Sequence, residues 1–319
     1  MCMVCDVMRN WMVLAVGFIA CGQQATNNDN NPGTAGDASV ADAASNTVAM
    51  PDAFVSQDAP TAYDCAPTAT AGHQTISCPM GVTMDVEISA ACATGGCGVI
   101  WDVPGFTMTA DVQDTHTRMR LLAPPLGYIV VQPTTTGFWG TGQYNDVIWN
   151  FQLAVADRLR TDPDRLHIMG FSQGADLTYL MLCAHADAIA SIAPDSGNGC
   201  FGIGAAPPVI RPVLYVQGTA DNIQAWSIFG PPVRDAILAS SDYGSGAVFS
   251  SSDAYMATRW TTSSGMDFEF WQHNFTDGSF LGGHCLPVPN GSGAFRCDNP
   301  EFDYSNEVLR FFGQHPRGH

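Results

Sequence analysis

Apolar residues in this chain come in short runs set apart by polar stretches that are marked with glycine and proline. The runs Thr83–Ile88, Gly98–Val103, Tyr128–Gln132, Leu166–Met169, Ala188–Ala193, Val213–Gln217 and Asp267–Gln272 are the length of buried strands. Between Asn145 and Leu159 the period changes: Val147, Ile148, Phe151, Val155 and Leu159 recur at helical spacing. Tyr304–Phe312 reads as a second helix that closes the domain. Strands alternating with helices predict a mostly parallel sheet covered on both faces, with the ligand site at the carboxyl ends of the strands. Residues 22–64 break the pattern. They are Asn, Asp, Ala, Thr, Ser, Pro and Gly with few large apolar side chains, and such a segment cannot bury enough surface to fold. It reads as a linker ahead of one domain spanning residues 65–319.

Composition narrows the class. The chain has 319 residues, 46% of them hydrophobic, which suits one large α/β domain. Its formal net charge is −18, and all twelve basic residues are arginine. So acidic a surface argues against nucleic acid as a partner and against anionic membrane surfaces. At the amino end, Arg9 precedes an apolar stretch from Trp11 to Ala20 that is short for a membrane span. The stretch ends in Ala20-Cys21-Gly22, which resembles a bacterial lipoprotein signal over residues 1–21, with Cys21 as the lipid anchor. A plain secretory signal is the alternative, and either reading exports the protein.

Cysteine usage agrees with export. Cys2 and Cys5 precede the signal and Cys21 belongs to it, which leaves eight of the eleven. An even set in an oxidising compartment reads as disulfides. Nearest-neighbour pairing gives Cys65–Cys78, Cys92–Cys97, Cys183–Cys200 and Cys285–Cys297. The spacing of Cys92 and Cys97 is not that of a zinc motif and no paired histidines accompany it, so no metal is expected.

The chemistry centres on Leu166–Gly174, LHIMGFSQG. Gly170, Ser172 and Gly174 form a G-x-S-x-G motif after a strand and before a helix, the context of a nucleophile elbow. A serine hydroxyl needs a histidine base, and the histidine needs a carboxylate to hold its tautomer. On such a sheet the chain order is Ser, acid, His. Asp221 follows the strand Val213–Gln217 and is the expected acid, with Asp195 as its competitor. His284, in the glycine-rich LGGHCLP, is the expected base, and His273 is the runner-up. The developing oxyanion needs backbone N–H donors. Gln173 supplies one, and Phe106, in the Pro104-Gly105-Phe106-Thr107 loop, the other, with Thr107 close behind. Trp139 and Trp226 each follow a strand's carboxyl end, so each reads as a cleft wall or as core packing.

Together these residues resemble the exported α/β-hydrolase esterases related to polyhydroxybutyrate depolymerases and feruloyl esterases. The resemblance covers residues 98–313 and rests on GFSQGADLTYLMLC, the GTAD run and GGHCLP. It implies Ser172 as nucleophile, Asp221 as acid, His284 as base, and a Cys183–Cys200 pair. One departure stands out: members carry His-Gly in the oxyanion loop, and this chain has Pro104-Gly105. The resemblance implies a cofactor-free serine ester hydrolase, working as a monomer outside the cytoplasm on polyester or hydroxyalkanoate chains. Feruloyl or acetyl groups on plant polysaccharide are the second substrate class. A peptidase on the same fold and a catalytically dead binding protein are the readings of other classes.

Overall fold

A computed structural model of the chain describes residues 63–197 and 209–318. The expected signal, nearly all of the linker and Cys200 lie outside these residues.

Among the described residues, ten strands form one sheet in the order β1-β2-β4-β3-β5-β6-β7-β10-β9-β8. They are β1 (Gly72–Ser77), β2 (Thr83–Ile88), β3 (Gly98–Val103), β4 (Tyr128–Thr134), β5 (Leu166–Phe171), β6 (Ser191–Asp195), β7 (Val213–Gly218), β8 (Ala247–Ser251), β9 (Tyr255–Thr261) and β10 (Asp267–His273). The central pairings β4-β3, β3-β5, β5-β6, β6-β7 and β7-β10 are parallel. The flanking pairings β1-β2, β2-β4, β10-β9 and β9-β8 are antiparallel. The predicted strand at Ala188–Ala193 forms later, at Ser191–Asp195. Its first residues complete the end of the preceding helix, where the Ala188 N–H donates to the His185 carbonyl at 3.0 Å.

Helices cover both faces. They are α1 (Ala110–Thr117), α2 (Met119–Leu122), α3 (Asn145–Leu159), α4 (Gln173–His185), α5 (Trp226–Phe229), α6 (Pro231–Ala239) and α7 (Tyr304–Gln314). One apolar core holds the inward faces of α3, α4 and α6, including Phe151, Leu177 and Ile237, against Val99, Trp101 and Ile168 of the sheet. A second core on the other face holds Val308, Phe311 and Phe312 of α7 against Ile100, Met169 and Leu214. The strands β3, β5 and β7 are buried along their whole length, as a parallel sheet covered on both faces requires. The α7 start is fixed by Asp303, whose side chain accepts from the N–H groups of Ser305 and Asn306.

Disulfides join Cys65 to Cys78, Cys92 to Cys97 and Cys285 to Cys297. Cys183 is also disulfide-bonded. These bonds fit an oxidising compartment.

Candidate active site

The elbow is built by steric necessity. β5 ends at Phe171 and α4 begins at Gln173, so Ser172 alone must turn the chain. It does so at φ 55° and ψ −119°, a conformation that costs energy for any residue with a Cβ. Two residues on, α4 passes so close to β3 that a Cβ on Gly174 would lie 2.1 Å from the Val103 carbonyl oxygen. Only glycine fits there, and the contact presses the Val103-Pro104 segment against the elbow. The Ser172 N–H donates to the Asp195 carbonyl at 2.9 Å and locks the turn to β6.

Ser172, His284 and Asp221, picked from the sequence on order and spacing, stand within hydrogen-bond reach of one another. Ser172 Oγ lies 2.9 Å from His284 Nε2, and His284 Nδ1 lies 2.9 Å from Asp221 Oδ2. With Asp221 ionised, the imidazole carries its proton on Nδ1 and donates it to Oδ2. The Nε2 lone pair is then free to accept the Ser172 hydroxyl proton. All three side chains are nearly enclosed, with residue exposures of 8%, 3% and 5% for Ser172, His284 and Asp221.

The acid is held from several sides. Asp221 Oδ1 accepts from the N–H groups of Ile223 at 2.8 Å and Gln224 at 2.7 Å. Oδ2 accepts from Gln217 Nε2 at 3.1 Å. Gln217 is itself aimed by Tyr215, whose hydroxyl donates to Gln217 Oε1 at 2.8 Å. Sequence reasoning passed over Gln217, because a glutamine inside an otherwise apolar strand carries no signal of what it faces.

The base reaches the serine because its loop runs alongside the acid loop. The Gly283 N–H donates to the Ala220 carbonyl at 2.8 Å, and a Cβ on Gly283 would stand 2.8 Å from the Asp221 nitrogen. The His284 ring lies 4.9 Å from the Phe171 ring, and the Cys285–Cys297 bond follows directly.

The competitors lie elsewhere. Asp195 is fully buried at the end of β6, and burial pushes its carboxyl well above the usual carboxylate range. His284 pairs with Asp221 and not with Asp195. His273 is buried against Phe275, and burial pulls its imidazole down to about 4. The Ser172 hydroxyl faces His284 instead.

Gln173 takes the first position of α4, next to Ser172. Phe106 sits in the loop that Gly174 presses on, its ring stacked on Phe138 at 4.6 Å. Thr107 turns the same loop at φ 66°. The tryptophans are largely packing residues. Trp139 is 2% exposed and meets Tyr144 edge-to-face within the core, which corrects its reading as a cleft wall. Trp226 is half-buried and stacks on Phe270 at 5.9 Å, with its body turned to the core as well. Among the described residues, no group of three or more His, Cys, Asp or Glu side chains is placed to hold a metal ion.

No family model and no curated protein matches the sequence. Solved structures do match the fold. An acetyl xylan esterase from Aspergillus awamori aligns at TM-score 0.55 and 14% identity, over 76% of this chain and 99% of the other. A thermostable esterase aligns at TM-score 0.53 and 11% identity, over 80% of this chain and 64% of the other. The parallel central sheet, the strand-turn-helix elbow and these neighbours together make the architecture an α/β-hydrolase fold.

Proposed function

We propose that this chain is an exported serine carboxylic-ester hydrolase with Ser172, His284 and Asp221 as its triad. The observation that carries the reading is the unbroken Ser172–His284–Asp221 relay, two bonds of 2.9 Å at the carboxyl ends of the central strands. Ser172 Oγ attacks the ester carbonyl carbon while His284 Nε2 takes the hydroxyl proton. Asp221 stabilises the imidazolium that results. The oxyanion is held by the backbone N–H groups of Gln173 and Phe106. The intermediate collapses, His284 returns the proton to the departing alkoxide, and an acyl-enzyme remains. Water, deprotonated by His284, then attacks the acyl carbon and releases the acid and free Ser172.

The proposed substrate is a polyester or hydroxyalkanoate chain. In support, Ile223 and Phe280 stand 46% and 60% exposed beside the acid and base loops. The Asn222 amide ties these two positions together by donating to the Phe280 carbonyl at 2.9 Å. An apolar margin of this kind suits an apolar chain better than a sugar polymer. Acetyl groups on polysaccharide are the second reading, favoured by the likeness to an acetyl xylan esterase.

A fluorophosphonate probe is expected to label Ser172 in the folded protein, and Ser172→Ala to abolish labelling and p-nitrophenyl ester turnover. His284→Ala is expected to lower kcat about 10³-fold or more, and His273→Ala to leave it within an order of magnitude. Absence of labelling in folded protein overturns the enzyme reading. Turnover of polyhydroxybutyrate against acetylated xylan separates the two substrates.

A further inference from the structure

We infer that Asp102 is a positioning residue that holds the oxyanion loop in shape, an inference that rests on the ester-hydrolase reading. Asp102 is the penultimate residue of β3, two positions before Pro104. Its carboxylate points to the face covered by α1, beside Met169 in the register of β3 with β5. The residue is fully buried, and both oxygens are occupied. Gln113 Nε2 donates to Oδ1 at 2.7 Å, while Thr117 Oγ1 at 2.5 Å and Gln132 Nε2 at 2.7 Å donate to Oδ2.

The placement of these donors gives the cluster its meaning. Gln113 and Thr117 belong to α1, which begins where the oxyanion loop ends, and Gln132 belongs to β4. The loop, residues 104–109, therefore leaves the sheet just after Asp102 and returns through a helix that is bonded back to Asp102. Inside that clasp it folds tightly: the Met108 N–H donates to the Gly105 carbonyl at 3.1 Å, and Thr109 caps α1. The Ala110 N–H donates to Thr134 Oγ1 at 2.8 Å, which ties the far end to β4 as well.

A buried carboxylate is a costly way to pack a helix on a sheet, and apolar contacts would do so at less expense. Here α1 turns Gln113, His116 and Thr117 inward instead of an apolar stripe. The hydrogen bonds are directional, so they fix where α1 sits along and around its axis. That sets the path of the six-residue loop whose N–H must point at an oxyanion to within a few tenths of an ångström. The buried Oε1 atoms of Gln113 and Gln132 have no hydrogen-bond partner. An Asn at position 102 can therefore keep the clasp: its oxygen accepts from Thr117 and Gln132, and its NH₂ donates to a flipped Gln113 amide.

Three variants test this. In Asp102→Ala, kcat on p-nitrophenyl acetate is expected to fall at least tenfold with KM within threefold of wild type, and the Met108 amide to exchange at least tenfold faster. Thr117→Val, which removes one bond at nearly constant volume, is expected to move both readouts in the same direction by at least threefold. Asp102→Asn is expected to stay within threefold of wild type in both. The inference is overturned if Asp102→Ala and Thr117→Val, both folded, keep kcat and Met108 exchange within threefold of wild type. It is also overturned if Asp102→Asn loses as much as Asp102→Ala. Should Asp102→Ala not fold, Thr117→Val and Asp102→Asn decide. Should wild type turn over no ester, the ester-hydrolase reading fails first, and the exchange data alone decide whether Asp102 fixes the loop.

Discussion

Ser172 sits at φ 55°, where its Cβ meets the neighbouring carbonyl, and this is the conformation that lifts its oxygen toward His284. The elbow thus trades stability for the position of one atom. Glycine tolerates the same angles without a Cβ, so Ser172→Gly is expected to unfold at a higher temperature than Ser172→Ala, by about 1 kcal/mol of stability. Calorimetry of the two inactive variants checks it, and equal midpoints would show that the turn is unstrained. The same scale explains Asp221. Its bonds from Ile223, Gln224 and Gln217 leave the carboxylate one direction in which to face the imidazole.

At the scale of elements, the site depends on loops held by strands and helices far apart in sequence. The base loop is the clearest case. Between Cys285 and Cys297 the chain folds back on itself, with the Leu286 N–H donating to the Phe295 carbonyl at 2.7 Å and the Cys297 N–H to the Leu286 carbonyl at 2.9 Å. The Phe295 N–H in turn donates to His116 Nε2 of α1 at 3.3 Å. Closing a loop of this length is worth about 3 kcal/mol on an entropic account. The double variant Cys285→Ser/Cys297→Ser is therefore expected to lose stability of that order, read by urea unfolding. It is also expected to lose kcat several-fold because His284 adjoins the bond; unchanged kcat would show that the Gly283 contact positions His284 unaided. Strands β3, β5 and β7 were legible as uninterrupted apolar runs, because both of their faces are buried, and β2 was legible although its positions alternate between buried and half-buried. The strands β1 and β8 escaped notice for the opposite reason. β8 is largely exposed, and β1 alternates only between half-buried and exposed positions, so neither shows a dominant apolar face. α1 escaped notice because its buried side is polar.

For the whole molecule, buried titratable groups set the response to pH. Burial drags His273 down to about 4 and His167 to about 3, so the folded state holds both imidazoles neutral. The unfolded chain binds their protons near pH 6.5, so their contribution to stability is present above that pH and is lost as pH falls toward 4. Asp102 works the other way: burial raises its carboxyl to about 6, so its protonated form stabilises the fold at low pH, and that contribution is lost as pH rises from about 4 to 6. His273→Phe, in a site already lined by Phe275 and Phe302, is expected to lose about 3 kcal/mol less stability than wild type between pH 7 and pH 4. Thermal melts across that range test it, and parallel curves would place the proton elsewhere. The sequence by itself determined what local rules control. It marked the periodic stretch Asn145–Leu159, which is the observed extent of α3, and the glycines that flank the elbow. It also marked an acid just past a strand end and a histidine in a glycine-rich loop. Only the tertiary structure decided that Ser172 meets a histidine 112 residues away, that Gln217 steadies Asp221, and that Asp102 clasps α1. Periodicity and turn chemistry act between near neighbours in the chain, whereas a buried hydrogen bond depends on which distant side chains the packed sheet brings to the same place.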